Sequence, residues 1–277
     1  MRWSIVTDSS CDLDLTYDLG DIGYSKVPFS IRFGEKNYID TEDMDKEAFV
    51  DEMIHSPLVG QTACPSPGAW HEKFLEADCI IAITISAKLS GSYNSAQTAR
   101  TMVLEGHPDK QIYIVDSMSA GAGPALLVLK TAELINQGLE FKDVVDAINK
   151  YTQQLNTIFV LSSYDNLAKN GRIPKIAGFL AGKLNLQGIG VGANGEIEVK
   201  KKVRGYRQSI AYLINDMKNC DFVDKKVVIS HCQNREVAEK LRDEILQNWS
   251  DKQVIILETG GLCSFYAEYK GIIMGYM

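Results

Sequence analysis

Long apolar runs, a basic excess and paired cysteines are all missing from this 277-residue chain. No apolar stretch approaches the roughly 18 residues of a membrane-spanning helix, so no integral membrane segment is expected. The net charge is −7 at pH 7. Nucleic-acid proteins present basic surfaces, so a nucleic-acid partner is not expected either. The six cysteines, Cys11, Cys64, Cys79, Cys220, Cys232 and Cys263, contain no C-x-x-C pair and read as free thiols of a cytosolic protein. There are only four histidines. His231 and Cys232 adjoin, but neighbours on a strand point to opposite faces, so no metal site is expected. The opening MRWSIVTDSS lacks the charged-then-apolar pattern of a secretory signal, and a cytoplasmic location is expected. A G-x-x-x-x-G-K-[ST] phosphate loop is also missing, which argues against ATP binding for phosphoryl transfer.

What is present is a chain with 45% hydrophobic and 23% charged residues, 22 Gly and 7 Pro, the composition of a globular protein. Its sharpest stretch is IIAITISAKLSGSYNSAQTA, Ile80 to Ala99. Ile80 to Ile85 has the β-branched make-up of a buried strand. A loop with Ser86, Ser90 and Ser92 follows, then a helical pattern from about Tyr93. Such a loop lies at the carboxyl end of a sheet, where open α/β folds bind ligands. Three hydroxyls beside the N–H groups of a helix start suit an anion, although serine is also an ordinary helix cap.

Strand, loop and helix recur three times up to about residue 120, starting near residues 2, 80 and 111, which predicts a doubly wound parallel sheet. Asp8 ends the first strand. An aspartate-nucleophile phosphatase needs a second aspartate two residues on, where Ser10 stands, so a turn or cap is the better reading. Lys26 to Asp40 alternates about Gly34-Glu35-Lys36-Asn37 and predicts a hairpin insertion over about 25–42. Asp43 to Ile54 predicts a helix. In QTACPSPGAW, Ser66 and Pro67 predict an N-cap and first helical position. Ala120 to Gln137 and Phe141 to Leu155 predict helices. Beyond Thr157 strands and helices mix without the simple βα rhythm. The expectation is an N-terminal α/β domain over 1–153 and a C-terminal α+β domain over 154–277, with a ligand cavity between them.

Five motifs, Ile5-Val6-Thr7-Asp8-Ser9, Thr62-Ala63-Cys64-Pro65-Ser66, Ile85 to Ala96, Val115-Asp116-Ser117 and Gly171-Arg172-Ile173, follow one another as they do in the DegV family, which the chain resembles over nearly its whole length. The resemblance implies a protein that holds a long-chain fatty acid, such as palmitate or oleate, between two domains. It implies no cofactor, and a role as the binding subunit of a bacterial fatty-acid kinase. Such a subunit presents the carboxylate to a separate kinase subunit for acyl-phosphate formation, and so is not itself an enzyme. Thr62 matches the family's T-S-x-P-S threonine and Ser90 the serine of L-S-G-T. With Gly91, they are implied to bind the carboxylate. Arg172 matches the G-R-I arginine, with an implied role in docking the kinase or holding the headgroup. Ala63 stands where the family usually has serine. The H-x-G-P-G stretch common in kinase-system members is absent, and Tyr266 is the nearest substitute for its histidine.

A buried carboxylate must exchange water for donors, and hydroxyls and backbone N–H groups supply them. The tail needs a long apolar cavity. Candidates for its wall are Phe29, Ile31, Phe179, Leu180, Leu184, Ile189, Leu262 and Phe265, all of which also suit ordinary core. The alternative function is an acyl or phosphoryl hydrolase using Ser90 or Cys64 as nucleophile. Ser90 lies outside a G-x-S-x-G elbow, and nothing in the sequence pairs it with His231 as base.

Overall fold

A computed structural model describes residues 1–174, 185–220 and 224–277. The chain begins β1 (Trp3–Asp8), β2 (Gly23–Val27), β3 (Ser30–Phe33), β4 (Lys36–Ile39), α1 (Lys46–His55), β5 (Gln61–Ala63) and α2 (Pro67–Phe74). It continues β6 (Cys79–Thr84), α3 (Ser92–Gly106), β7 (Gln111–Asp116), α4 (Ala122–Asn136), α5 (Phe141–Gln154), β8 (Asn156–Leu161) and α6 (Asp165–Lys169). It ends β9 (Leu186–Ala193), β10 (Glu196–Arg204), α7 (Tyr206–Asn219), β11 (Lys226–His231), α8 (Arg235–Asn248), β12 (Gln253–Glu258), α9 (Gly261–Ala267) and β13 (Ile272–Tyr276).

The first sheet is parallel, in the order β2-β1-β6-β7. Every residue of β6 is buried, as expected of a strand covered on both faces. The second sheet runs β10-β9-β8-β13-β11-β12 and is antiparallel except for the β11–β12 pair, which α8 connects. The fold is therefore mixed α/β, with one parallel and one mixed sheet.

Helix α4 lies between them. Twelve of its fifteen residues are buried, so it is apolar all round, as an interior helix must be. Its leucines join one core with Ile5, Ile81 and Ile83 of the first sheet and Phe159, Val228 and Ile273 of the second. This shared layer ties the positions of the two sheets together.

The predicted hairpin is shorter than its alternating pattern. Gly23–Val27 leaves it to pair with β1, because Pro28 has no N–H and ends the strand. Gly34, at φ 58°, makes with Glu35 a two-residue turn, and Lys36 already pairs with Phe33. β5 then adds to β3, giving a small antiparallel sheet β4-β3-β5. Its partner is α9. Asp40, just past β4, accepts from Gly261 N at 2.6 Å and Leu262 N at 2.8 Å, while Asp12 accepts from Gly260 N at 2.8 Å.

Candidate functional site

The loop after β6 is held from three sides. Asp8, fully buried at the end of β1, accepts from Ser10 N and Ser10 Oγ, from Ile85 N at 3.0 Å and from Ser92 Oγ at 2.6 Å. Burial pushes its carboxyl pKa up, against the pull of these donors. Asp8 is thus the turn-forming residue expected, and it fastens the start of α3 to β1. Ser86 Oγ donates to Gly195 O at 2.6 Å, which pins the β9–β10 turn over the loop. Asp116 accepts from Ala87 N and Met118 N.

This bonding corrects the expectation of three serine hydroxyls around an anion. Ser86 and Ser92 are consumed inside the protein, and both are completely buried. Ser90 alone of the three lines the cavity. Its Oγ accepts from Ser92 N at 3.3 Å. Gly91 stands at the N-cap of α3, where no side chain caps the helix. Of the first-turn N–H groups, Ser92 N is the one that Ser90 Oγ meets.

Thr62, Ser90, Arg172, Tyr266 and Phe29 line one compartment, with an empty volume of about 380 Å³. Ile85, Leu89, Ala120, Leu167, Ile197, Leu262 and Tyr266 line both this compartment and a second of about 620 Å³, so the two adjoin. The second is walled mainly by apolar groups, among them Phe159 and Leu161 of β8, Ile273 of β13 and Ala267 of α9. The first compartment gathers three hydroxyls and one cation, and the second lies against it with mainly apolar walls.

In the first compartment Thr62 Oγ1 and Tyr266 Oη are 2.8 Å apart, which joins β5 to α9. Burial raises the Tyr266 pKa against the opposing pull of Thr62 and Arg172. The phenol is therefore a protonated donor near neutral pH. Arg172 lies 5.6 Å from the Tyr266 ring centre and donates to Leu89 O at 3.3 Å and Asn170 O at 2.6 Å. These bonds keep its cation beside Tyr266 in the first compartment. Ala63 is exposed and, by strand alternation, faces away from Thr62. A hydroxyl there would not reach the cavity.

Among the apolar candidates, Phe29 and Leu262 line the cavity. Ile31 and Phe265 instead pack with Phe33 and Phe49. Ile189 lies on the far side of the second sheet with Val160 and Leu213. These three are core. Phe179, Leu180 and Leu184 lie outside the described residues. The walls from β8, β10 and β13 went unnamed because alternation marks two faces of a strand without saying which one borders the empty space. The alternating residues Thr157, Phe159 and Leu161 were the available signal.

Among the described residues no histidine lines the cavity. His231 sits in β11, where its Nδ1 accepts from Asn234 N at 3.4 Å and burial lowers its pKa. No group of three or more His, Cys, Asp and Glu side chains among the described residues is arranged to hold a metal ion. No described helix is long and apolar enough to cross a membrane.

Fold and site together define an α/β protein with a mainly apolar internal cavity edged by hydroxyls and one arginine. The family model described as "Uncharacterised protein, DegV family" matches residues 2–274, and the chain belongs to the DegV family. A DegV domain-containing protein of Streptococcus pyogenes serotype M3 is 39% identical over the whole of this chain and 99% of its own length. The Streptococcus pneumoniae Fatty Acid Kinase (Fak) B3 protein, solved loaded with linoleic acid, is 36% identical with a TM-score of 0.95, over 100% of this chain and 99% of that one. A DegV family protein from Eubacterium eligens, loaded with heptadecanoic acid, is 32% identical with a TM-score of 0.94, over 99% of each chain.

Proposed function

We propose that this protein binds a long-chain fatty acid such as palmitate or oleate as a non-catalytic carrier, and presents its carboxylate to a fatty-acid kinase subunit. The observation that carries the reading is that the hydroxyls of Thr62, Ser90 and Tyr266 line a compartment that shares seven lining residues with a mainly apolar one. The fatty acids carried by the Streptococcus pneumoniae and Eubacterium eligens relatives support the same ligand class.

The carboxylate accepts from Ser90 Oγ, from the Thr62–Tyr266 hydroxyl pair and from the N–H groups at Gly91. Charged acceptors make the stronger hydrogen bonds. Arg172 supplies a positive charge beside Tyr266 and a contact for the kinase. The tail supplies affinity at about 0.8 kcal/mol per buried CH₂, or roughly 10–12 kcal/mol gross for a long chain. Immobilising the ligand offsets a good part of that. In this reading residues 1–153 and 154–277 act as two domains around the ligand, in the cytoplasm, where the kinase finds its ATP. The kinase role draws support from the Fak B3 relative.

Calorimetric titration with palmitate and with hexadecanol tests the arrangement. Palmitate is expected to bind at least tenfold tighter, because one charged hydrogen bond more is worth about 1.5–3 kcal/mol. Equal affinities would remove the carboxylate seat from the account.

A further inference from the structure

On the cavity side of β9 the side chains are missing. Leu161 pairs with Gly188 and Phe159 with Gly190, and Gly192 lies against Thr157. Gly190 is not among the glycines with positive φ, so its backbone does not call for glycine. The space does. A Cβ built on Gly190 would stand 2.3 Å from Phe159 Cε2 and 2.4 Å from Cζ. The Phe159 ring therefore lies across the bare backbone of β9. The Glu198 carbonyl of the neighbouring strand β10 is 3.1 Å from the same position, so the added methyl is crowded from that direction as well. Phe159 is 7% exposed and lines the apolar compartment, with the Tyr164 ring at 6.2 Å. The empty volume beside it is the room into which the ring can move.

We infer that Gly190 is a specificity-determining residue: it holds the Phe159 ring against the sheet and so opens the cavity to long acyl chains. The inference rests on the fatty-acid reading and extends it to chain length. A methyl at position 190 drives the ring into the compartment and displaces the far end of the ligand. Short acids that end before Phe159 are unaffected. Each methylene excluded from apolar contact weakens binding by about fourfold, so exclusion of two or more costs tenfold or greater.

The test is the affinity of saturated acids of 12, 14, 16 and 18 carbons for the parent, Gly190→Ala, Phe159→Leu and the double variant. For Gly190→Ala, affinity for the 18-carbon acid is expected to fall by about tenfold or more and for the 12-carbon acid by less than about threefold. Adding Phe159→Leu restores the long-chain affinity, because a smaller side chain no longer needs the vacancy. An equal loss at every length, an unchanged profile, or a double variant that fails to recover would each overturn the inference. If Gly190→Ala does not fold, Phe159→Leu alone decides: a shift toward longer acids supports the inference, and an unchanged profile overturns it. A parent protein that binds none of the acids overturns the fatty-acid reading, and this inference with it. A parent that binds them while the variants keep its profile overturns the inference alone.

Discussion

Asp12 anchors the short helix that carries Leu262 and Tyr266, and it does so at a cost in stability. The side chain is 5% exposed. One oxygen accepts from Gly260 N at 2.8 Å, while Oδ2 is buried without a hydrogen-bond partner among the described residues. Burial pushes its pKa from 3.8 up to about 6, against the pull of the Gly260 N–H and the nearby Ser230 hydroxyl. One pKa unit is 1.36 kcal/mol, so ionised Asp12 costs the native state about 3 kcal/mol above pH 6. Between about pH 4 and 6 the native chain holds a proton that the unfolded chain has already lost. Stability from this site is then greatest near pH 4 and falls as pH rises through 6. Asp12→Asn keeps an oxygen for Gly260 and removes the charge. It is expected to be more stable than the parent by about 1–3 kcal/mol at pH 8, with the gap closing by pH 4.5. Urea unfolding at both pH values, followed by far-ultraviolet circular dichroism, measures it. A variant less stable than the parent at pH 8, or a gap independent of pH, would show that the charge is needed as a cap and is no burden.

Four other substitutions separate the site from its supports. Ser90→Ala should weaken palmitate binding by about 1–3 kcal/mol and leave the melting temperature within a degree or two, because among the described residues its hydroxyl makes only the 3.3 Å contact with Ser92 N. Asp40→Ala strips two N–H bonds from the start of α9 and should cost about 1–2 kcal/mol, with a parallel loss of ligand affinity. The matching cap in α1, Asp45 accepting from Ala48 N at 2.9 Å, is the control: Asp45→Ala should cost about 1 kcal/mol of stability and no affinity. Tyr266→Phe leaves the Thr62 hydroxyl without its 2.8 Å partner and should lower both stability and palmitate affinity by about 1 kcal/mol. Unchanged calorimetric affinity in that variant would remove Tyr266 from the headgroup set.

Much of the fold was legible because its signals are local. The β-branched run of β6, the loop serines and the Ser66-Pro67 start of α2 each specify their own geometry: Ser66 Oγ accepts from Ala69 N at 3.2 Å. Elements set by tertiary pairing were not legible. β5 is three residues long and exists by pairing with β3. β13 joins the second sheet between β8 and β11 from the far end of the chain. α9 spans seven residues and is capped by carboxylates more than 200 positions away. The same divide runs through the site. Thr62, Ser90 and Arg172 were readable from motifs and line one compartment. The absorption of Ser86 and Ser92 into internal bonds was not, because their partners, Gly195 and Asp8, are remote in sequence. Ile31, Ile189 and Phe265 have the composition of a cavity wall, but they face other side chains.

The central claim is that the apolar compartment behind Thr62, Ser90 and Tyr266 holds a fatty acid. Denaturing mass spectrometry of an organic extract from the purified protein tests it most directly, with calibrated standards for stoichiometry. The account predicts close to one long-chain fatty acid per chain, or full loading after incubation with palmitate or oleate. An extract without fatty acid, together with no thermal shift and no loading on incubation, would contradict it.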